Sequence, residues 1–192
     1  MRVGVLALQG AFREHILMLE AAGAVAHAVR LPEQLDGVAG LVIPGGESTA
    51  IAKLMRTYGF YEAIRERHGS GMAVWGTCAG AILLAQTIAD ALPDQEPLGL
   101  MATTVRRNAY GRQVDSFEAD LAIGQLDLPF RGVFIRAPLI EAVGEGVKVL
   151  ARHRGDIVAA QECDMLATTF HPELTGDLRV HRYFLEHVIG AG

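Results

Sequence analysis

The stretch MAVWGTCAGAILLAQTIA, Met72 to Ala89, decides how the chain is read. Met72 to Trp75 is a short apolar run of the kind that forms a strand buried on both faces. Ala79 to Ala89 reads as a helix. Between them lies Cys78, in a turn flanked by Gly76, Ala79 and Gly80. Strand, tight turn and helix is the repeating unit of a parallel sheet.

Working outward, the same unit recurs upstream. Val3 to Leu8 (VGVLAL) reads as a strand. It is followed by a helix in which Phe12, Ile16, Leu19 and Ala22 recur near the 3.6 spacing, with Gly23 as its stop. Val25 to Val29 and Gly40 to Pro44 read as strands two and three. A further helix runs from about Thr49, with Ser48 as its expected N-cap. This order predicts an α/β fold: an open, mostly parallel, doubly wound sheet with helices on both faces. The second half changes character. TTVRR, SFEAD, GVFIRA, VKVLARH, DIVAAQE and MLATTF are short strand-like runs that predict an antiparallel extension, and LRVHRYFLEHVI reads as a closing amphipathic helix. There is no internal repeat and no linker, so residues 1–192 are expected to form a single domain.

Composition narrows the function classes. A chain of 192 residues, 51% of them hydrophobic, can bury a substantial core. Its net charge of -5 and the absence of a basic run argue against nucleic acid as a partner. Two cysteines cannot build a disulfide framework. The N-terminal run has neither the layout of a signal peptide nor the length of a membrane span. The expectation is a cytoplasmic protein with reduced thiols and no membrane partner.

The chemistry starts at Cys78. G-T-C-A-G has the form of a nucleophile elbow with cysteine in the serine position. Small neighbours permit the tight turn, and the nucleophile is expected in a strained backbone conformation. The N-terminus of the following helix favours negative charge on the thiol. The structural alternative is a small buried apolar residue, the commonest role of a free cysteine. Cys163, between Glu162 and Asp164, reads as structural, because flanking carboxylates disfavour a thiolate.

A thiol nucleophile needs a base in reach. Of the seven histidines, His15, His27, His68, His153, His181 and His187 read as solvated or satisfied residues of helices, strands and a loop. His171 stands apart, at the end of an apolar strand and before Pro172, which biases it toward extended backbone. Residues two apart then share a face, so Glu173 can lie beside His171 and orient its ring. The alternative is a strand-end turn with a surface acid. PGGEST, Pro44 to Thr49, lacks the lysine and the spacing of a phosphate loop. Its two glycines leave backbone N–H groups free for a developing oxyanion.

Taken together, PGGEST, G-T-C-A-G and F-H-P-E resemble the class I, triad-type glutamine amidotransferases. LALQGAFREH, RRNAYGRQVDSFEADL, GVFIRAP and FHPELTGDLRVH are similar, more narrowly, to the glutaminase subunits of pyridoxal 5′-phosphate synthase. The resemblance spans nearly the whole chain, with ALPDQEPLGL as a variable insertion. It implies that Cys78 attacks the side-chain amide of glutamine, that His171 moves the protons and that Glu173 orients His171. It further implies that Gly46, Glu47, Ser48, Arg107, Ile135 and Arg136 bind substrate, and that Gln9 and Gly10 lie near a partner interface. A guanidinium suits the α-carboxylate of glutamine. The implied partner is a synthase subunit that receives ammonia and builds the vitamin B6 cofactor. No cofactor or metal of the chain's own is expected. The resemblance also implies a glutaminase that is nearly silent until the synthase docks. The alternatives are an amidotransferase subunit of another pathway such as imidazole glycerol phosphate synthase, a free-standing γ-glutamyl cysteine hydrolase, and a non-enzymatic scaffold.

Overall fold

A computed structural model describes residues 1–93, 95–107, 116–124 and 126–190. The parallel half contains β1 (Arg2–Leu6), β2 (Val25–Val29), β3 (Gly40–Ile43), β4 (Ala73–Thr77) and β12 (Met165–Thr168), hydrogen-bonded in the order β2-β1-β3-β4-β12. From β12 the sheet continues through β11 (Asp156–Glu162), β9 (Leu139–Val143), β6 (Met101–Arg106) and β5 (Ala85–Ile88). β12–β11, β11–β9 and β9–β6 are antiparallel pairs, whereas β5–β6 is parallel. β10 (Lys148–His153) pairs with β11, and β7 (Phe117–Leu121) with β8 (Phe130–Phe134) forms a separate antiparallel ribbon. The doubly wound parallel sheet and its antiparallel extension are both as expected.

Helices cover both faces because the strands are apolar on both. On β3 and β4, Leu41, Ile43 and Val74 enter one core, while Val42, Ala73 and Trp75 enter the other. The first core is closed by α2 (Ser48–Thr57), α3 (Phe60–Gly69) and α4 (Ala79–Leu84), through Ile51, Met55, Phe60, Ile64 and Leu83. The second is closed by α1 (Phe12–Ala21) and α5 (Arg179–Tyr183), which continues into a π turn over Phe184–Val188. Among the described residues no helix is long and apolar enough to cross a membrane.

Several local expectations are corrected. The helix after Cys78 stops at Leu84, and Ala85–Ile88 is a strand. The carbonyls of Leu83, Leu84 and Ala85 accept backbone N–H groups from Leu98, Leu100 and Gly99, so this crossing segment ends the helix. α3 is a helix with a weak sequence pattern, because only Phe60, Tyr61 and Ile64 of its ten residues are buried. His68 therefore lies in a helix rather than a loop. β9 is a strand outside the expected runs. Cys163, expected to be structural, is exposed in the β11–β12 turn.

Candidate active site

The site forms at the carboxyl ends of β1, β3, β4 and β12, four neighbours in the parallel sheet, where open α/β folds place their ligands. Each strand delivers one piece. β4 delivers Cys78, whose φ of 48 and ψ of -104 are those of a strained turn residue, as the elbow pattern predicts. Its N–H donates to Thr168 O at 2.8 Å, which ties the elbow to β12. Gly80 is needed by close approach: a Cβ there would lie 1.9 Å from Ile43 O. The helix after Cys78 has only six residues, all buried.

β12 delivers His171, whose N–H is held by Val133 O of the ribbon at 2.8 Å. Its Nδ1 lies 2.7 Å from Glu173 Oε1. The pair meets as expected, but by a different route. Pro172–Leu174 is a 3₁₀ turn, so the turn and not a strand pleat brings the carboxylate under the ring. With Nδ1 taken by Glu173, Nε2 is left to face the Cys78 thiol, which lies near enough to raise the His171 pKa. Cys78, His171 and Glu173 are all buried.

The electrostatics follow from this chain of contacts. Burial opposes a charged His171, but its bonds to Cys78 and Glu173 outweigh that, and its pKa is pushed up to about 10. Burial also opposes an ionised Glu173. The neighbouring His15 and the bond to His171 win there too, and the carboxyl is held below its ordinary range. The signs define a stability window. The His171 contribution is full below its ordinary pKa of 6.5 and is lost as the pH rises to about 10. The Glu173 contribution is full above the ordinary carboxylate pKa of 4.5 and is lost as the pH falls through the depressed value. Glu173→Gln should therefore lower the unfolding temperature most between those limits and least outside them. Thermal melts of both proteins from acid to alkaline pH check this; a difference independent of pH would refute it.

β3 delivers Gly45 to Ser48, and the ribbon delivers Ile135 and Arg136. Gly46, Glu47, Ser48, Arg107, Ile135 and Arg136 line one cleft of about 270 Å³ together with Gln9, Cys78 and His171. That volume, near the lower limit of small-molecule sites, suits an amino acid better than a nucleotide. Ile135 O lies 4.0 Å from Cys78 Sγ, and Arg136 carries a positive φ of 45. All the residues named from sequence thus converge. Asn108 to Asp115 of the RRNAYGRQVDSFEADL motif lie outside the described residues.

The glycine loop also corrects the cap. Glu47, not Ser48, caps α2: its carboxylate accepts the N–H of Thr49 at 3.1 Å and of Ala50 at 2.7 Å. Ser48 is already helical, and its buried hydroxyl accepts from Gln95 Nε2 at 2.8 Å. Gln95 Oε1 accepts from Arg107 Nη1 at 2.7 Å. Gln95 therefore clamps two cleft residues together, although it lies in the segment read as a variable insertion. His15, expected as a solvated or satisfied residue of the first helix, also reaches this site. That side chain is fully buried, with Nε2 3.3 Å from Glu173 Oε2. The available signal was its place at the end of LQGAFREH.

Known proteins share this fold and sequence. A crystal structure of a glutamine amidotransferase superposes with a TM-score of 0.91 at 53% identity, covering 96% of this chain and 97% of that one. Fold and site together define the class as a glutamine amidotransferase of the class I type. Within that class the chain belongs to the SNO glutamine amidotransferase family, which it matches over residues 5–190. It is 56% identical over 188 residues to the pyridoxal 5′-phosphate synthase subunit PdxT of Niallia circulans, covering 98% of each chain. It is 58% identical to the PdxT subunit of Roseiflexus castenholzii, covering 97% of this chain and 100% of that one.

Proposed function

We propose that this chain, acting as one glutaminase domain in the cytoplasm, hydrolyses L-glutamine with Cys78, His171 and Glu173. We further propose that it passes the ammonia to a synthase subunit making pyridoxal 5′-phosphate. The reading rests on one observation: a strained cysteine and a histidine line one amino-acid-sized cleft, with a carboxylate 2.7 Å from the histidine ring.

The chemistry follows from the contacts. Cys78 Sγ adds to the side-chain carbonyl carbon of glutamine, its proton residing on His171. His171 then gives that proton to the leaving nitrogen, the C–N bond breaks, and ammonia departs from a γ-glutamyl thioester. Water, deprotonated by His171, attacks the thioester; glutamate leaves and the proton returns to the thiol. Glu173 holds the His171 tautomer and stabilises the imidazolium throughout. Arg107 and Arg136 are the cleft's guanidinium groups for the α-carboxylate.

Dependence on a partner is supported by the glycine loop. The Glu47 N–H, a candidate oxyanion donor, is engaged by Gln9 Oε1 at 2.8 Å. A donor committed to a side chain does not stabilise an oxyanion. Gln9 lines the cleft and is half-buried, so a subunit docking beside it can draw it away and release the donor. Glutamate release, measured with the chain alone and with the synthase subunit, tests this reading. A strong rise on addition of the synthase is expected. Equal rates would point to a free-standing hydrolase instead.

A further inference from the structure

Behind the triad lies a second chain of buried polar groups that the chemistry above does not use. His15 comes from α1 and His181 from α5, and both are fully buried. His15 Nδ1 is 3.1 Å from His181 Nε2. His15 Nε2 is 3.1 Å from Thr77 Oγ1, one residue before the elbow cysteine, and 3.3 Å from Glu173 Oε2. Trp75 packs edge-on against both rings, with centroids 5.4 Å from His15 and 4.9 Å from His181. The two histidines close the first and last of the four specific sequence motifs, LALQGAFREH and FHPELTGDLRVH.

The hydrogen positions can be worked out by elimination. Burial lowers the pKa of both imidazoles, so each is neutral and carries one hydrogen. For His15, Glu173 and the more distant Glu14 pull the other way, while His171 adds to the lowering. Among the described residues His181 Nδ1 has no hydrogen-bond partner. A hydrogen there would be a buried donor without an acceptor, a costly arrangement. The His181 hydrogen therefore sits on Nε2 and points to His15 Nδ1. That leaves the His15 hydrogen on Nε2, facing Thr77 Oγ1 and Glu173 Oε2. The opposite tautomer would set a lone pair of His15 against a carboxylate oxygen. Among the described residues Glu173 Oε2 is buried and makes no hydrogen bond, and His15 Nε2, at an ion-pair distance of 3.3 Å, is the side-chain group set against it. A carboxylate confined on one oxygen only is free to swing or to take up a proton.

We propose that His15 is a positioning residue of the triad: its neutral Nε2–H holds the far oxygen of Glu173, keeping that carboxylate ionised and its near oxygen aimed at His171. His181 acts one step further out, by fixing the tautomer of His15. The residues that face Glu173 in this arrangement are His171 and His15, and those that face His15 are Glu173, Thr77, His181 and Trp75. The proposal rests on the triad reading above.

The test compares His15→Gln with His15→Asn in the complex with the synthase. A glutamine amide nitrogen can reach the place of Nε2, whereas an asparagine amide imitates Nδ1 and reaches only His181. Expected for Asn is a kcat lowered roughly 10- to 100-fold, the scale of a lost bond to a buried charge, with KM little changed. Its acidic limb in the kcat profile should move to higher pH, because the Glu173 carboxyl is easier to protonate. Expected for Gln is a kcat closer to wild type and an unmoved acidic limb. His15→Leu should match Asn if it folds; if it does not fold, the Gln–Asn pair decides alone. Equal kcat and equal acidic limbs for Gln and Asn would overturn the proposal, whether both match wild type or both fall by loss of packing. Cys78→Ala separates the two levels: activity surviving there sinks the triad itself, whereas a dead Cys78→Ala beside a wild-type-like His15→Asn sinks only the role of His15.

Discussion

Cys78→Ala should reduce glutamate release by at least about four orders of magnitude in the presence of the synthase subunit, while leaving the fold and the complex intact. Loss of a nucleophile that works as one unit with its base removes nearly all of the triad's rate enhancement. The fold should survive because the substitution suits the site. Alanine removes only Sγ, from a position whose flanking residues, Thr77 and Ala79, are buried in strand and helix. The positive φ of 48 is already tolerated by a residue with a Cβ. The measurement is single-turnover glutamate formation beside thermal unfolding and co-migration with the synthase. A folded, complex-forming Cys78→Ala that retains a tenth of the wild-type rate would remove cysteine from the mechanism.

The second large effect is expected at a residue that carries no functional group. Gly45→Ala would set a Cβ 2.3 Å from His171 Cε1 and 3.3 Å from Cys78 Cβ. Neither neighbour can yield cheaply. His171 is anchored by its N–H on Val133 O and by its ring on Glu173, and Cys78 by the elbow. The ring must shift by about an ångström, and misplacement on that scale costs roughly 100-fold in rate. Gly45 is not among the glycines with positive φ, so alanine adds a steric clash and no backbone strain. The clash is buried, so the melting temperature should fall as well, but kcat should fall out of proportion to it. A Gly45→Ala enzyme with wild-type kcat would mean that His171 has freedom these contacts deny it.

That example also shows where reading the sequence stopped short. PGGEST was read as two glycines that expose N–H groups to an oxyanion. The first of them has a different duty, which is to let a strand end pass against the His171 ring. Nothing in residues 44 to 49 could reveal this, because His171 is remote in the chain. The same limit explains Glu47 and Ser48. By type Ser48 is the preferred N-cap and Glu47 is not; in the fold the Glu47 carboxylate takes the Thr49 and Ala50 N–H groups, while the Ser48 hydroxyl is engaged by Gln95. The helix read through Ala89 failed for a related reason. A short apolar run fits a buried helix or a buried strand equally well, and the backbone of Leu98 to Leu100 made the choice by taking the helix's last carbonyls.

What the local sequence settled was whatever local chemistry enforces. Apolar runs flanked by glycine and proline gave the parallel strands, because backbone buried on both faces tolerates little else. The G-T-C-A-G turn announced a strained thiol, and His-Pro-Glu announced a histidine paired with a carboxylate, because each feature is made within three residues. Tertiary structure decided which distant groups complete those units. His15 and His181 lie 166 residues apart and meet behind Glu173 only because α1 and α5 cover the same face of the sheet. Burial there strips water from the carboxylate and turns two unremarked histidines into its supports, and burial is a property of the packed fold rather than of any short stretch of chain.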